Sequence, residues 1–495
     1  MYYILILGIG CDNMKKRQKL LAVLIALLIV ISSGELIIYA NIKTSTAKAI
    51  LLQEGEYNIQ QSNINYSNSA MFGLFDTPTV QEYIYEELLN CSTSINIYNY
   101  RVNTDDLINV YSDIINSNPD LFYVSSSITY TYTTTGYVYE IRPHYSMNSS
   151  EIIEAKVIFE NGVQRALSVV DNSMNDVQKA LVIHDYICDI ATYPVLNSSD
   201  DDKDIYHSAY GLFYDGNVVC AGYALAYSYI LNLLGIPCEY VASNAMNHAW
   251  NAVQIDGKWY NVDLTWDDMS LYNNSMNLRG GMFHNCFLKS DEAFGGEIGR
   301  YHFGGTTYDN CVMSDTSYDN YFWNNLTSNI CVVDGDYYYF EQDGTAFRGY
   351  LKKRDLNGSV STVSDTAISC IKMNVTGTNV DENGVSHTHT MVDPFVRVVY
   401  LDNRFYLTSV RQIISIDISG NRHTILNEDN YCFGLGTTDN ELVYQEYSTF
   451  DSYQLDKIQY FNEYLSTDDF SVYNNYPDIN NDGSINAKDY AMIIK

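Results

Sequence analysis

The stretch His248-Ala249-Trp250-Asn251-Ala252-Val253-Gln254-Ile255-Asp256-Gly257-Lys258-Trp259-Tyr260-Asn261-Val262-Asp263 sets two β-prone runs either side of Asp256-Gly257. Asp-Gly suits a two-residue hairpin turn, because both central positions need positive φ. A turn there sets Ile255 against Lys258 and, counting back along the strands, Trp250 against Asp263 and His248 against Thr265. His248 and Asp263 then leave one face as diagonal neighbours. Such positions hold their Cβ atoms roughly 7–8 Å apart or closer, within reach of an imidazole–carboxylate contact.

An imidazole oriented by a carboxylate is half of a nucleophilic site and needs a thiol or hydroxyl to complete it. Upstream, Val218-Val219-Cys220-Ala221-Gly222-Tyr223-Ala224 leads into a helical run over 221–234, closed by Gly235 and Pro237. Cys220 thus stands at a helix N-terminus, where the dipole favours thiolate over thiol and backbone N–H groups face a developing oxyanion. Gly222 lets the first turn pack closely. The expected triad is Cys220 as nucleophile, His248 as base and Asp263 as the group that fixes the imidazole tautomer. A lone Cys is more often an ordinary buried residue, and a His–Asp pair on a hairpin arises readily by chance.

The order and spacing of separated blocks give the assignment its specificity. Ala209-Tyr210-Gly211, Val219 to Ala224, Leu234-Gly235-Ile236-Pro237, His248-Ala249-Trp250-Asn251 and Asp256 to Asp267 together resemble the transglutaminase-like superfamily of papain-type cysteine enzymes. Similarity to its bacterial secreted branch extends more loosely over about 80–325, through Asn118-Pro119-Asp120-Leu121-Phe122-Tyr123, 179–186 and Phe287-Leu288. The resemblance implies an α+β fold, with a Cys-bearing helix packed on an antiparallel sheet. It also implies acyl transfer through a thioester on Cys220, resolved by an amine or by water, and the triad itself needs no cofactor. Many relatives draw an oxyanion donor from an upstream Trp, but the first Trp here is Trp250. Tyr210 is the expected substitute, beside the backbone N–H of Cys220.

Other candidates have plainer readings. Trp250, Trp259 and Trp266 are expected as wall and core of the domain, His184-Asp185 as a packing pair on a helix, and His207 at the surface. His387 and His389 alternate in what reads as a polar loop, with surface histidines favoured over a metal site.

The chain has 495 residues, enough for two or three domains, and 46% of them are hydrophobic. Its formal charge of −32, from 28 basic and 60 acidic side chains, excludes the basic footprint of nucleic-acid binding and docking on an anionic membrane surface. Residues 1–49 read as a signal peptide or N-terminal anchor. Lys15, Lys16, Arg17 and Lys19 precede an apolar run over 20–31, Met14 is an alternative start, and cleavage fits after Ala40 or Ala49. Secretion follows, with membrane anchoring kept open by the apolar run that resumes at 36–39. The ten cysteines include no CxxC spacing, so zinc is not indicated.

Residues 50–75 read as a Gln-, Asn- and Ser-rich linker, and 76–175 as an α+β region. There a helix over 77–89 has Thr77 as cap and Pro78 first, a second covers 104–116, and a strand pair over 123–141 turns near Thr135-Gly136. The transglutaminase-like domain is assigned to 176–325, with a helix over 175–192. A β-rich region over 326–465 has runs like propeller blades, too few to close a ring.

At the C-terminus, Asp478, Asn480, Asp482, Asn486 and Asp489 occupy loop positions 1, 3, 5, 9 and 12, with Gly483 at the sharp turn and Ser484 offering its carbonyl. With the helix that follows, 478–495 resembles one repeat of a type I dockerin. The resemblance implies calcium, and a cohesin module of an extracellular scaffold protein as partner. Three functions follow: a secreted cysteine acyltransferase acting on protein or peptide amides, a cysteine peptidase or amidase with the same triad, and a non-catalytic adhesion or binding protein.

Overall fold

The computed structural model describes residues 52–58, 78–194, 204–271, 278–296, 299, 301–305, 311–438, 441–447 and 462–465. The expected export segment and the expected calcium ligands Asp478, Asn480, Asp482, Ser484, Asn486 and Asp489 lie outside them. The fold is α+β, with a helix-and-sheet core followed by a β-rich region.

The first layer is a four-stranded sheet in the order β1-β3-β4-β2, formed by β1 (Leu52–Asn58), β2 (Ile95–Asn96), β3 (Val124–Thr133) and β4 (Val138–Tyr145). β1 falls in the expected linker. It finds order by pairing along the edge of β3, Leu52 against Thr133 to Asn58 against Ser127, a tertiary contact that local composition does not announce. Helices α1 (Val80–Leu89) and α2 (Thr104–Ser117) cover the sheet, burying Ile84, Leu88, Leu107 and Tyr111. The α1 cap is Thr79 and not Thr77. Thr79 Oγ1 accepts from the Glu82 N–H while Glu82 Oε2 accepts from the Thr79 N–H, a reciprocal pair open only to Thr three residues before Glu.

Helix α3 (Ser149–Leu167) went unmarked in the sequence reading, although Asn148 and Glu151 form another capping box and Ile152, Ala155, Phe159 and Val163 make one buried stripe. α3 leads into α4 (Asp176–Ile190), α5 (Ala209–Tyr214) and α6 (Cys220–Leu233), which pack on the three-stranded sheet β5 (Cys238–Ser243), β6 (His248–Ile255) and β7 (Lys258–Val262). The hairpin has the expected register from Ile255–Lys258 to Asn251–Val262, turning on Asp256 (φ 50°) and Gly257 (φ 76°). The ladder stops at Val262. Asp263 does not face Trp250 across it but becomes the N-cap of a short helix, α7 (Leu264–Asp267), because its side chain bonds the N–H groups of Thr265 and Trp266.

Beyond 325 the regular elements of the described residues are all strands. β8 (Cys331–Val333), β9 (Asp336–Gln342), β10 (Arg348–Arg354), β11 (Val360–Thr362) and β12 (Ile368–Ser369) form one sheet. β13 (Met373–Val380) and β14 (Ser386–Asp393) form a long hairpin. β15 (Val398–Leu401), β16 (Arg404–Ser409), β17 (Gln412–Asp417) and β18 (Arg422–Asn427) make an antiparallel meander of blade type, and β19 (Tyr431–Thr438), β20 (Glu441–Tyr447) and β21 (Asn462–Leu465) a third sheet. No linker separates this half from the helices. Trp323, Ile330, Val332, Tyr337 and Tyr339 share one core with α3 to α6, and Gln178 Nε2 donates to the Gly335 carbonyl at 2.6 Å.

Candidate active site

Cys220 is the first residue of α6, and Val219 before it brings no capping side chain to the first turn. The N–H groups of Gly222 and Tyr223 bond the Val219 carbonyl, so the open donors of this helix start are those of Cys220 and Ala221. Gly222 lets this turn pack closely, since a Cβ there would sit 2.8 Å from Val218 Cγ1 and 2.9 Å from the Tyr206 carbonyl. Cys220 packs on Ala249, the residue after His248 on β6, with Ala224 and Tyr240 beside it.

His248 Nε2 donates to Asp263 Oδ2 at 2.7 Å, and the Cys220 side chain lies within hydrogen-bonding reach of the same ring. With Nε2 committed to the carboxylate, Nδ1 is the nitrogen left for the thiol. Burial pulls the His248 pKa down, but Asp263 and then Cys220 outweigh it and push it up to about 10. Burial alone would raise Asp263; the imidazoles of His248 and His302 instead hold it well below the usual carboxylate range. Asp263 Oδ1 is occupied separately, accepting from Thr265 N–H at 2.9 Å and Trp266 N–H at 3.3 Å. The sequence-predicted Cys220, His248 and Asp263 are thus brought together.

His302 was missed. Its Nε2 contacts Asp263 Oδ2 at 2.7 Å, so two imidazoles share one carboxylate oxygen. Its other nitrogen faces the Gly299 carbonyl, and its ring lies over Phe294 with centroids 3.7 Å apart. Burial pulls the His302 pKa down, Asp263 pulls it up and the charge on His248 lowers it again, for a net fall. Nothing in its spacing to the hairpin flags it, because it arrives on a loop after the triad.

Tyr210 lies in the helical core, its ring stacked on Phe122 at 4.5 Å and tilted against Tyr214 at 5.4 Å. The phenol that feels the charges of Cys220 and Asp263 is that of Tyr193, which burial first and those charges next push up to about 12. Trp250 is buried, donating to Asn261 Oδ1 at 3.1 Å, whereas Trp259 and Trp266 are partly exposed. Trp266 stacks on His248 at 5.2 Å. His207 is exposed. His387 and His389 lie on strand β14 and not in a loop, paired with Asp381 Oδ2 at 2.9 Å and Asn379 Oδ1 at 2.7 Å.

His184-Asp185 is more than a packing pair. His184 bridges Asp185 Oδ1 at 2.9 Å and Asp267 Oδ2 at 3.3 Å, and His284 adds a 3.0 Å contact to Asp185 Oδ1. Asp185 Oδ2 also takes the Ile330 N–H at 2.8 Å. This network ties α4 to α7, the helix that Asp263 caps. Two buried sets, His184–Asp185–His284 and His248–Asp263–His302, are close enough to share a metal ion, but hydrogen bonds already occupy both.

The network makes stability pH-dependent. Burial opposes charge on His184, but Asp185 and Asp267 raise its pKa to about 9, so its contribution is full below about 6.5 and fades as pH rises through about 9. Asp185, which burial would raise but His284 and His184 lower to about 2, contributes fully above about 3.9 and loses that only as pH falls through about 2. Thermal melts are therefore expected to give a higher Tm near pH 5.5 than near pH 9. An equal or higher Tm at pH 9 would contradict these assignments.

The family profile described as the transglutaminase-like superfamily matches residues 163–264. Kyphoscoliosis peptidase of Homo sapiens is 24% identical over 131 residues, 23% of this chain and 20% of its own length. The Mus musculus protein of that name is 24% identical over 127 residues, 23% of this chain and 19% of its own length. The chain thus spans about a fifth of the length of these curated relatives. A crystal structure of a TGase aligns at 14% identity over 33% of this chain and 48% of that one, with a TM-score of 0.20. With the matched segment running through α6, the hairpin and Asp263, the chain carries a transglutaminase-like domain within a longer α+β protein.

Proposed function

We propose that this protein is an exported cysteine acyl-transfer enzyme acting on protein or peptide amides, with Cys220, His248 and Asp263 as its triad. The observation that carries the reading is the 2.7 Å His248–Asp263 bond with Cys220 on the same ring at a helix start. Cys220 attacks the carboxamide carbon as a thiolate, and His248, held as imidazolium by Asp263, protonates the departing amine or ammonia. The Cys220 backbone N–H and the Tyr193 hydroxyl stabilise the oxyanion in place of Tyr210. The thioester then passes to an amine, giving an isopeptide bond, or to water, giving an acid. The word peptidase in the relatives' names favours keeping hydrolysis as the second reading. Secretion rests on the basic and apolar run at 15–31, and cohesin docking through calcium on the loop at 478–489.

The test is incubation with a glutamine-containing protein and a fluorescent primary amine. Dye incorporation that Cys220→Ala abolishes supports transfer, and new peptide termini support proteolysis. Burial raises the thiols of Cys188, Cys238 and Cys286, and pushes Cys331 and Cys432 up to about 12. Iodoacetamide at neutral pH is therefore expected to label Cys220 at least tenfold faster than these five, because the thiolate is what reacts. Labelling no faster than theirs, with no turnover, would remove the catalytic reading.

A further inference from the structure

The β13–β14 hairpin shows its two faces differently. Val375, Gly377 and Asn379 with His387, His389 and Met391 form a buried or half-buried face, whereas Thr376, Thr378, Thr388 and Thr390 on the other are exposed. The covered face turns to the catalytic half: Tyr301, next to His302, stacks on His387 at 4.0 Å, and Asn285 Nδ2 meets Met391 Sδ at 3.2 Å. Between the hairpin and Trp266, Leu271 and Phe283 lies a cavity of about 420 Å³. Trp266 is the link to the chemistry, since its indole also packs on the His302 ring at 4.1 Å and the His248 ring at 5.2 Å.

We propose that this cavity is a substrate subsite for an uncharged aromatic or large aliphatic side chain, one or two residues from the amide that Cys220 attacks. The inference rests on the acyl-transfer reading of the triad. Trp266, Leu271, Phe283, Val375 and Met391 supply apolar walls, the Thr376–Asn379 segment and His389 complete the described lining, and it holds no Lys, Arg, Asp or Glu to pair with a charge. A cationic side chain buried there would find no carboxylate, and an anionic one only the His389 imidazole that Asn379 already engages. The cavity's size falls in the range that encloses a ligand group. An extended peptide advances roughly 3.3–3.6 Å per residue, and the 5.2 Å between the Trp266 and His248 rings spans one to two such steps.

Gly377 gives the subsite its depth. It faces His389 across the ladder and brings no side chain between Val375 and Asn379. Its backbone is ordinary strand without positive φ, so a larger residue is accepted there without backbone strain, at a position that lines the cavity.

The test uses four blocked peptides, Gly-Gly-Phe-Gln-Gly-Gly, Gly-Gly-Gln-Phe-Gly-Gly and their Ala counterparts, titrated calorimetrically into the full-length Cys220→Ala protein. One Phe peptide is expected to bind at least tenfold tighter than its Ala partner. Adding Gly377→Phe should cut that preference below twofold, and adding Thr388→Phe on the exposed face should leave it intact. Equal or unmeasurable affinity for all four peptides overturns the proposal, as does a preference that survives Gly377→Phe. If Gly377→Phe lowers the Tm, Met391→Ala is read instead: at least a threefold loss of preference is expected, and no loss overturns the subsite. Binding needs no thioester, so failure of dye incorporation would leave this result standing on its own.

Discussion

Asp263→Asn is expected to lower kcat by roughly 10⁴-fold, nearly as much as removing the Cys220 thiol, while leaving the fold in place. The two carboxylate oxygens do different work. Oδ1 caps α7 through Thr265 and Trp266, and an asparagine carbonyl can keep those bonds. Oδ2 faces His248 and His302, and an amide nitrogen there can only donate. His248 would then present a lone pair at Nε2 and carry its proton on Nδ1, toward the sulfur it must deprotonate. Loss of the carboxylate also removes the largest influence opposing burial. The alkaline limb of the pH–rate profile, set in the wild type by His248 at about 10, should move down toward or below the ordinary histidine range near 6.5. The checks are stopped-flow kcat against pH, with the far-UV spectrum and Tm as controls for folding. A loss below tenfold would show that Asp263 caps a helix and nothing more.

Asp393→Ala is expected to cost about 3–5 kcal/mol of stability, measured by urea unfolding. Arg397 and Asp393 are fully buried and joined by two contacts, at 2.7 and 3.0 Å. Arg397 Nη1 also donates to the Thr327 carbonyl at 3.0 Å, and Asp393 Oδ1 accepts from the Phe395 N–H at 2.8 Å. A Cβ on Gly281 would lie 3.1 Å from the guanidinium, so the pair sits tight against the catalytic half. Removing the carboxylate strands a charge with no route to water, whereas Asp393→Leu with Arg397→Met removes both and should recover most of the loss. Because Asp393 ends β14, the single variant should also loosen the cleft wall and raise KM more than it lowers kcat. Wild-type stability in Asp393→Ala would refute the account.

The hairpin was legible because Asp256-Gly257 and the strand alternation either side fix register by local rules. Asp263 was found by extending that register one step too far. The ladder ends at Val262, yet the N-cap geometry returns the carboxylate to the same imidazole. His302 was not legible, since a loop histidine has no periodicity and meets Asp263 only through tertiary packing. Tyr210 drew the oxyanion role from sequence proximity to Cys220, but helix α5 commits its ring to Phe122 and Tyr214. The β13–β14 hairpin escaped notice because its Thr-, His- and Asn-rich alternation reads as polar loop. It becomes a strand pair through eight consecutive cross-strand partners, from Met373–Asp393 to Val380–Ser386.

The distance in sequence between Asp263 and Asp393 also has a meaning in time. A ribosome adding about 5–20 residues per second completes the thiol, imidazole and carboxylate roughly 6–26 s before it delivers the last residue of the hairpin. A nascent chain therefore holds Cys220, His248 and Asp263 before it holds the hairpin wall of the proposed subsite. On the proposed subsite, selectivity follows the reactive groups in the order of synthesis, and the closing of the Asp393–Arg397 ion pair marks its arrival.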